Sequence, residues 1–251
     1  MDKDLNFFCI SNFNNNLDWV KDYPNHIIYD KTWSNDIPAK DIMYPFEAVN
    51  LRDKYPDYNI VNSSINGYSI YDFMTYIIDY YDDLPNVVVF CKGNTFPRHV
   101  SEEKFNQLVN LKCFAPIEDW RAHDQNQPSL ISGIAMWSSD GGFMELNNSW
   151  YLRHPDLPIK YFATYNDFIQ YCFIEPVVPK FLRFPPGGNF VVPKGHILKY
   201  DKAFYKNLRF FVEHAQLSGE GHLLERALYT IWTCNFEVSE NMKIELATLI
   251  Q

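Results

Sequence analysis

The stretch Lys92-Gly93-Asn94-Thr95-Phe96-Pro97-Arg98-His99 concentrates the groups that hold a phosphate. Lys92 and Arg98 are cations that flank a glycine, and His99 adds a further donor. At a turn, such a cluster presents fixed positive charge to a diphosphate and stabilises the charge that develops as a phosphate leaves. The alternative is an ordinary strand-to-helix loop with solvated basic side chains. A second group, Gly219-Glu220-Gly221-His222-Leu223-Leu224-Glu225-Arg226, places two carboxylates and a histidine at a helix start. A carboxylate near a reactive sugar takes the proton of an acceptor hydroxyl, which is general-base work. Glu225 is the first candidate, with Glu220 and His222 beside it. The alternative is a helix-capping Glu220 and a Glu225–Arg226 ion pair.

Three further places are candidates. Asp30, followed by Lys31, can accept hydrogen bonds from a base or a ribose, or can simply cap a turn. Asn12 lies in the polar segment Ser11–Asn16. Pro185-Pro186-Gly187-Gly188-Asn189-Phe190 suggests a rigid backbone approach to a ligand at Gly188, with Asn189 as donor and acceptor; otherwise it is a plain hairpin or helix-leading turn. Trp33, Trp120, Trp137 and Trp150 have rings that stack on sugars, but nothing in the sequence selects one. A Walker A loop, a Gly-x-Ser-x-Gly elbow, His-Glu-x-x-His and the kinase signatures are absent. The seven histidines show no metal-ligand spacing, so no metal site is expected. Gly219-x-Gly221 is half of a dinucleotide fingerprint and lies near the C-terminus.

These groups need a frame to position them. Leu5–Ile10, His26–Tyr29 and a weaker Tyr58–Val61 read as strands. A short helix is predicted over Leu17–Tyr23. Ser69 and Asp72 read as a capping box for a helix in which Ile70, Phe73, Met74, Ile77, Ile78 and Tyr81 share one face. Val87–Phe90 is an apolar run without alternation, as in a strand buried on both faces. Strand, helix, strand with these connections predicts parallel pairing. Ligands in open α/β sheets bind outside the carboxyl ends of the strands. Those ends are Ser11–Asn16, Asp30-Lys31 and Lys92-Gly93-Asn94, and parallel neighbours would turn all three to one crevice. Further on, helices are predicted from Ser101 with Glu102 and Glu103 in the first turn, from Thr164 with Asp167, over Ala203–Ala215 and over Leu223–Trp232. Gly187–Pro193 reads as a turn into a short strand.

The chain has 251 residues and a formal charge of −9, with 47% apolar and 21% charged residues. This is a globular composition rather than a disordered one. The acidic balance argues against a long nucleic-acid footprint, whose affinity comes from neutralising phosphates. It does not argue against one diphosphate. The average also conceals residues 159–209, where eight basic side chains face three acidic ones, a net of +5. That stretch brackets Gly187-Gly188-Asn189 and suits an anionic acceptor, a lipid-linked glycan or a membrane surface. The acidic start leads into only a short apolar run, so no signal peptide is expected. No apolar stretch approaches the roughly 20 residues of a membrane span. The five scattered cysteines lack Cys-x-x-Cys and are expected to be reduced, in a cytoplasmic protein.

Residues 68–94, with Tyr81-Asp82-Asp83-Leu84-Pro85-Asn86 closing a helix and Phe90-Cys91-Lys92-Gly93 closing a strand, resemble a family of uncharacterised-domain proteins from bacteria, fungi and algal viruses. The family phrases are "Tyr-Asp-Asp-Leu-Pro-Asp" and "Phe-x-x-Gly". Gly188–Val192 and His222–Arg226 look like its later motifs. The resemblance is strongest over 66–100 and 185–232. It implies a GT-A-like fold and glycosyl transfer from a nucleotide-sugar donor in surface polysaccharide or glycan synthesis. The wider GT-A pattern places a metal-holding Asp-x-Asp where this chain has Cys91-Lys92-Gly93-Asn94, so metal-independent transfer is expected, with no cofactor required.

The expectation is therefore an α/β chain forming a single GT-A-like, Rossmann-like domain with a mostly parallel central sheet flanked by helices. Residues 1–100 would be its nucleotide-binding half and 101–251 its acceptor-side half. Asn12, Asp30, Lys31, Lys92, Gly93, Asn94, Arg98 and His99 would bind the donor, and Gly188 and Asn189 the glycan or lipid-linked acceptor. Glu225, Glu220 and His222 would be catalytic. The setting would be the cytoplasm, with peripheral association to the inner face of a membrane as a further expectation. The alternatives are a non-catalytic glycan-binding or assembly module and an enzyme acting on a sugar phosphate.

Overall fold

A computed structural model describes residues 5–34, 46–119, 135–138 and 142–248. Trp120 lies outside the described residues. Strand β1 spans Phe7–Asn12 and β2 spans His26–Asp30, joined through a 3-10 turn at Asp18–Asp22. A short helix α1 (Leu51–Lys54) precedes β3 (Ile60–Asn62). Helix α2 (Tyr68–Tyr80) then crosses to β4 (Val87–Lys92). The strands run past their apolar runs, so Ser11, Asn12, Asp30 and Lys92 end strands rather than occupy turns.

The second half supplies α3 (Glu102–Asn110), β5 (Ala115–Pro116), β6 (Ala135–Trp137), β7 (Phe143–Leu146), α4 (Tyr165–Cys172), β8 (Phe181–Arg183) and β9 (Phe190–Pro193). Helices α5 (Lys194–Ile197), α6 (Lys202–Val212), α7 (Gly219–Thr233) and α8 (Glu240–Lys243) follow. The Ser101 and Thr164 caps form: their hydroxyls accept from Lys104 N–H at 3.2 Å and Asp167 N–H at 3.1 Å. The Ser69–Asp72 box does not. Gly67, at φ 71°, takes the cap position of α2 with no side-chain cap.

The main sheet has six strands in the order β3-β2-β1-β4-β9-β5. β3, β2, β1 and β4 are mutually parallel, whereas β9 runs antiparallel to both β4 and β5. The sheet is thus mixed rather than mostly parallel. The cause is the approach to β9: the chain reaches it through the Gly187-Gly188 turn at the carboxyl edge of β4, instead of crossing over from the other edge. Both glycines hold positive φ, +95° and +70°, where a side chain is strained. A separate antiparallel sheet, β6-β7-β8, was not legible as strands. The sheet also disregards the boundary at residue 100, since β9 and β5 extend it directly from β4.

Period-2 alternation assigns the strands' side chains to two cores. In β4, Val88 and Phe90 join the cluster under α2, α4, α6 and α7. Val87, Val89 and Cys91 join the cluster under α3 and the 17–23 turn. Trp232 of α7 stacks on Phe90 with ring centroids 5.5 Å apart, which fixes α7 over β4. Burying a side chain of Phe90's size contributes about 1.5–3 kcal/mol. All five cysteines are free, and Cys9, Cys91 and Cys172 are buried. Among the described residues, no helix is long and apolar enough to cross a membrane.

Candidate functional site

The carboxyl ends of the parallel strands finish level. Ser11 pairs with Lys92, Asn12 with Asp30, and Asp30 with Asn62. From β1 the chain builds outward through β2 to β3, then returns to place β4 on the other side of β1. The order reverses between β1 and β4, and a crevice opens at such a switch point. A cavity of about 970 Å³ lies there, walled by Lys92, Arg98, Gly187, His222, Glu225 and Tyr151 among others. A smaller one, about 390 Å³, is lined by Ser11, Asn15, Lys31, Asn94 and Gln216 among others. Tyr68, Ser69, Lys92, Arg98 and Leu217 line both.

Lys92 and Arg98 stand at this junction. Among the described residues, neither the Lys92 ammonium nor the Arg98 guanidinium has a hydrogen-bond or ion-pair partner. Burial pushes the Lys92 ammonium down; Glu225 opposes that shift and the Arg98 charge adds to it. His99 is buried against the larger cavity, with its ring beside Gly187.

Helix α7 forms the facing wall. The first turn of α7 contains Glu220 and His222, one turn earlier than the sequence suggests, with Ser218 Oγ accepting from Gly221 N–H at 3.1 Å. His222 Nε2 lies 2.7 Å from Tyr68 Oη, and its Nδ1 lies 3.9 Å from Glu225 Oε2. Glu225 Oε1 accepts from the Gly187 N–H at 2.6 Å, and Oε2 accepts from Arg226 Nη1 at 3.2 Å. Burial would raise the Glu225 carboxyl, but His222, Arg226 and Lys92 together bring it down to about 2. A carboxylate held that firmly ionised is a weak proton acceptor. The structure keeps Glu225 in the cavity wall, with its carboxylate held ionised by these cations. Below it, Arg226 grips Glu145 of β7 through two bonds of 2.8 and 3.0 Å. Its guanidinium also lies 3.6 Å from the Tyr151 ring centroid and 4.6 Å from that of Phe184.

Several expected site residues lie elsewhere. Glu220 does not line the cavity: it is fully buried, and Oε1 accepts from the backbone N–H groups of Lys160 and Tyr161 at 2.8 and 2.5 Å. Its Oε2 is 2.8 Å from His214 Nε2. It organises the 160–162 turn, so the catalytic reading of Glu220 is corrected to a structural one. Asp30 is buried and caps its own turn, accepting from Thr32 N–H and Oγ1 at 2.8 and 2.9 Å. It does not reach the cavity as a nucleoside contact. Lys31 lines the smaller cavity but is paired with Asp72 at 3.2 Å. Asn12 points into the Asn15 turn, accepting from its N–H at 3.2 Å. Gly93 packs beneath Asn12, where a Cβ would lie 2.3 Å from Oδ1. Asn94 lines the smaller cavity. Gly188 is wedged against Ile70, and Asn189 is fully buried with neither amide atom partnered among the described residues. The cavity wall is formed instead by their neighbours Pro186 and Gly187.

The sequence reading missed Tyr68, Tyr151, Asp72 and Glu145. A signal existed for Asp72: a carboxylate among Ile70, Phe73 and Met74 is a buried charge unless the helix turns it out to water. Of the four tryptophans, Trp150 lines the larger cavity, Trp33 is exposed and bonds the Ser63 carbonyl at 2.9 Å, and Trp137 packs against the small sheet's core. The +5 stretch does not gather into one patch. Arg183 pairs with Glu118, Lys202 with Asp82 and Lys206 with Glu245, while Lys199 bonds the Trp232 carbonyl at the end of α7. Comparison of the chain with protein-family models, with curated proteins and with solved structures finds no match.

Proposed function

We propose that the protein is a glycosyltransferase of GT-A-like arrangement, which moves a sugar from a nucleotide-sugar donor to a glycan or lipid-linked acceptor. The observation that carries this reading is the pair of unpartnered cations, Lys92 and Arg98, at the switch point of the parallel strands. They line both of two neighbouring cavities, where a diphosphate would join a nucleoside on one side to a sugar on the other. The smaller cavity, with Asn15 and Asn94, suits the nucleoside. The larger one, at about 970 Å³, has room for sugar and acceptor and offers Trp150 and Tyr151 as ring surfaces. As the sugar leaves, charge builds on the diphosphate beside Lys92 and Arg98, and the two cations stabilise it. Lys92 ends β4 where the resemblance to the GT-A pattern would put the metal-holding Asp-x-Asp, and on this reading the transfer is metal-independent.

Calorimetry with a panel of nucleoside diphosphates, with and without EDTA, tests this. One member is expected to bind in both conditions, and Lys92→Ala or Arg98→Ala should each weaken it about 10- to 100-fold, the value of a bond to a charged group. No binding by any member overturns the reading, and binding abolished by EDTA overturns its metal-free form. Preference for a sugar phosphate would favour an enzyme acting on such a substrate instead. Glycan binding without nucleotide binding would favour the non-catalytic module.

A further inference from the structure

We infer that Tyr68 is the group that exchanges the acceptor's proton in the cavity, with His222 and Glu225 behind it as the positioning residues of a three-part relay. The inference rests on the transfer reading above. Three separate features of the fold converge on the one phenol. First, Tyr68 begins α2 at φ 53°, in the left-handed region that a bulky residue rarely occupies. Strain of that kind collects at functional sites. Second, α7 is bare where the ring lies: a Cβ at Gly221 would sit 2.9 Å from Tyr68 Cδ2. Third, Tyr68 Oη is 2.7 Å from His222 Nε2, whose Nδ1 faces Glu225 at 3.9 Å. Glu225 is itself held by the Gly187 N–H and by Arg226. A reactive hydroxyl, an imidazole and an orienting carboxylate in that order form the arrangement by which proteins activate a hydroxyl. Tyr68 also lines both cavities, alongside Lys92 and Arg98.

The relay works with the imidazole proton on Nδ1, toward Glu225, and the Tyr68 hydroxyl donating to Nε2. As the acceptor oxygen attacks the anomeric carbon, its proton passes to Tyr68 Oη, and the Tyr68 proton passes to His222 Nε2. The bond between acceptor oxygen and sugar forms. The bond from the anomeric carbon to the diphosphate oxygen breaks, and that oxygen keeps the electron pair beside Lys92 and Arg98. The imidazolium so formed is balanced by the Glu225 carboxylate, and it returns its proton to solvent when the product leaves.

Nucleoside-diphosphate sugars incubated with the protein in water, which then serves as acceptor, give the test. Released nucleoside diphosphate is measured, with donor affinity followed by calorimetry. Tyr68→Phe is expected to slow release by about 10²-fold or more while donor affinity is unchanged. His222→Gln should do the same, and the double variant should be no slower than the slower single one, because the residues act as a unit. Release by Tyr68→Phe at the wild-type rate overturns the relay, as do additive losses. Failure of the wild type to bind or turn over any donor overturns the transfer reading instead. In that case the relay falls with it; where the wild type does turn over a donor, ¹⁵N NMR of the His222 ring gives a readout besides turnover. An unprotonated Nε2 at neutral pH, shifted in Tyr68→Phe, supports it, and a protonated Nε2 overturns it.

Discussion

Lys31 and Lys92 both sit at the carboxyl edge of the parallel strands, one just after β2 and the other at the end of β4, yet the fold treats them in opposite ways. Lys31 is 3% exposed. Its ammonium bonds Asp72 at 3.2 Å and the carbonyls of Ser64 and Asn66 at 2.7 and 3.1 Å. Asp72 in turn accepts from the hydroxyls of Ser11 and Ser63, so one buried carboxylate ties together the ends of β1, β2 and β3. Burial pushes the Asp72 carboxyl up and the Lys31 ammonium down, and each charge opposes the other's shift. Lys92 has no such partner and faces an open cavity. Helix α7 carries two carboxylates that the fold itself satisfies, Glu220 sealed by backbone N–H groups and Glu225 in the cavity wall with Arg226 as its counter-charge. Charge at a strand end is therefore no sign of ligand binding by itself. What matters is whether the fold supplies the counter-charge or leaves that to a ligand.

The sharpest way to break this comparison is to remove a counter-charge from the first region. Asp72→Asn leaves Lys31 buried without its anion, and such a loss costs about 3–5 kcal/mol. Lys92→Ala, which removes a cation with no hydrogen-bond or ion-pair partner among the described residues, should leave the denaturation midpoint unchanged or raise it. Urea denaturation of both variants checks this, and equal losses would show that the two lysines are equivalent. A medium effect is expected at Glu225. Its carboxyl is held near 2, below the 4.5 of the free group, so its stabilisation is complete above about 4.5 and disappears as the pH falls toward 2. That contribution is about 3 kcal/mol. The stability gap between wild type and Glu225→Gln should therefore shrink from pH 6 to pH 3, and a constant gap would remove the ionic role. The smallest effect belongs to Lys206, half-exposed and paired with Glu245 at 2.6 Å. Lys206→Ala should change stability by less than about 1 kcal/mol and leave nucleotide affinity untouched. A clear loss of affinity would instead make the basic 159–209 stretch part of the site.

Much of the frame was legible beforehand. The unbroken Val87–Phe90 run reads as a strand buried on both faces because alternate side chains must enter two cores, and the structure divides them that way. Ser101 and Thr164 announce their helices because a cap and its target N–H lie three residues apart. The misreadings have equally local causes. Ser69 and Asp72 have the spacing of a capping box, but Asp72 is drawn to the lysine and serines at the strand ends, and Gly67 takes the cap. The direction of β9 was hidden because a turn at the carboxyl edge and a crossover from the far edge look alike in sequence. The short strands β6, β7 and β8 span only three or four residues each, too few to show a period.

The sequence by itself determined most of the elements, the faces they bury and the concentration of basic side chains at Lys92–His99, because each depends on residues a few positions apart. Only the tertiary structure decided which charges are spent inside the fold. Ser11 meets Asp72 across 61 residues, Arg226 meets Glu145 across 81 and Tyr68 meets His222 across 154. At such separations no local pattern specifies the partner, and the packing of α2 and α7 against one face of the sheet is what brings these groups within reach.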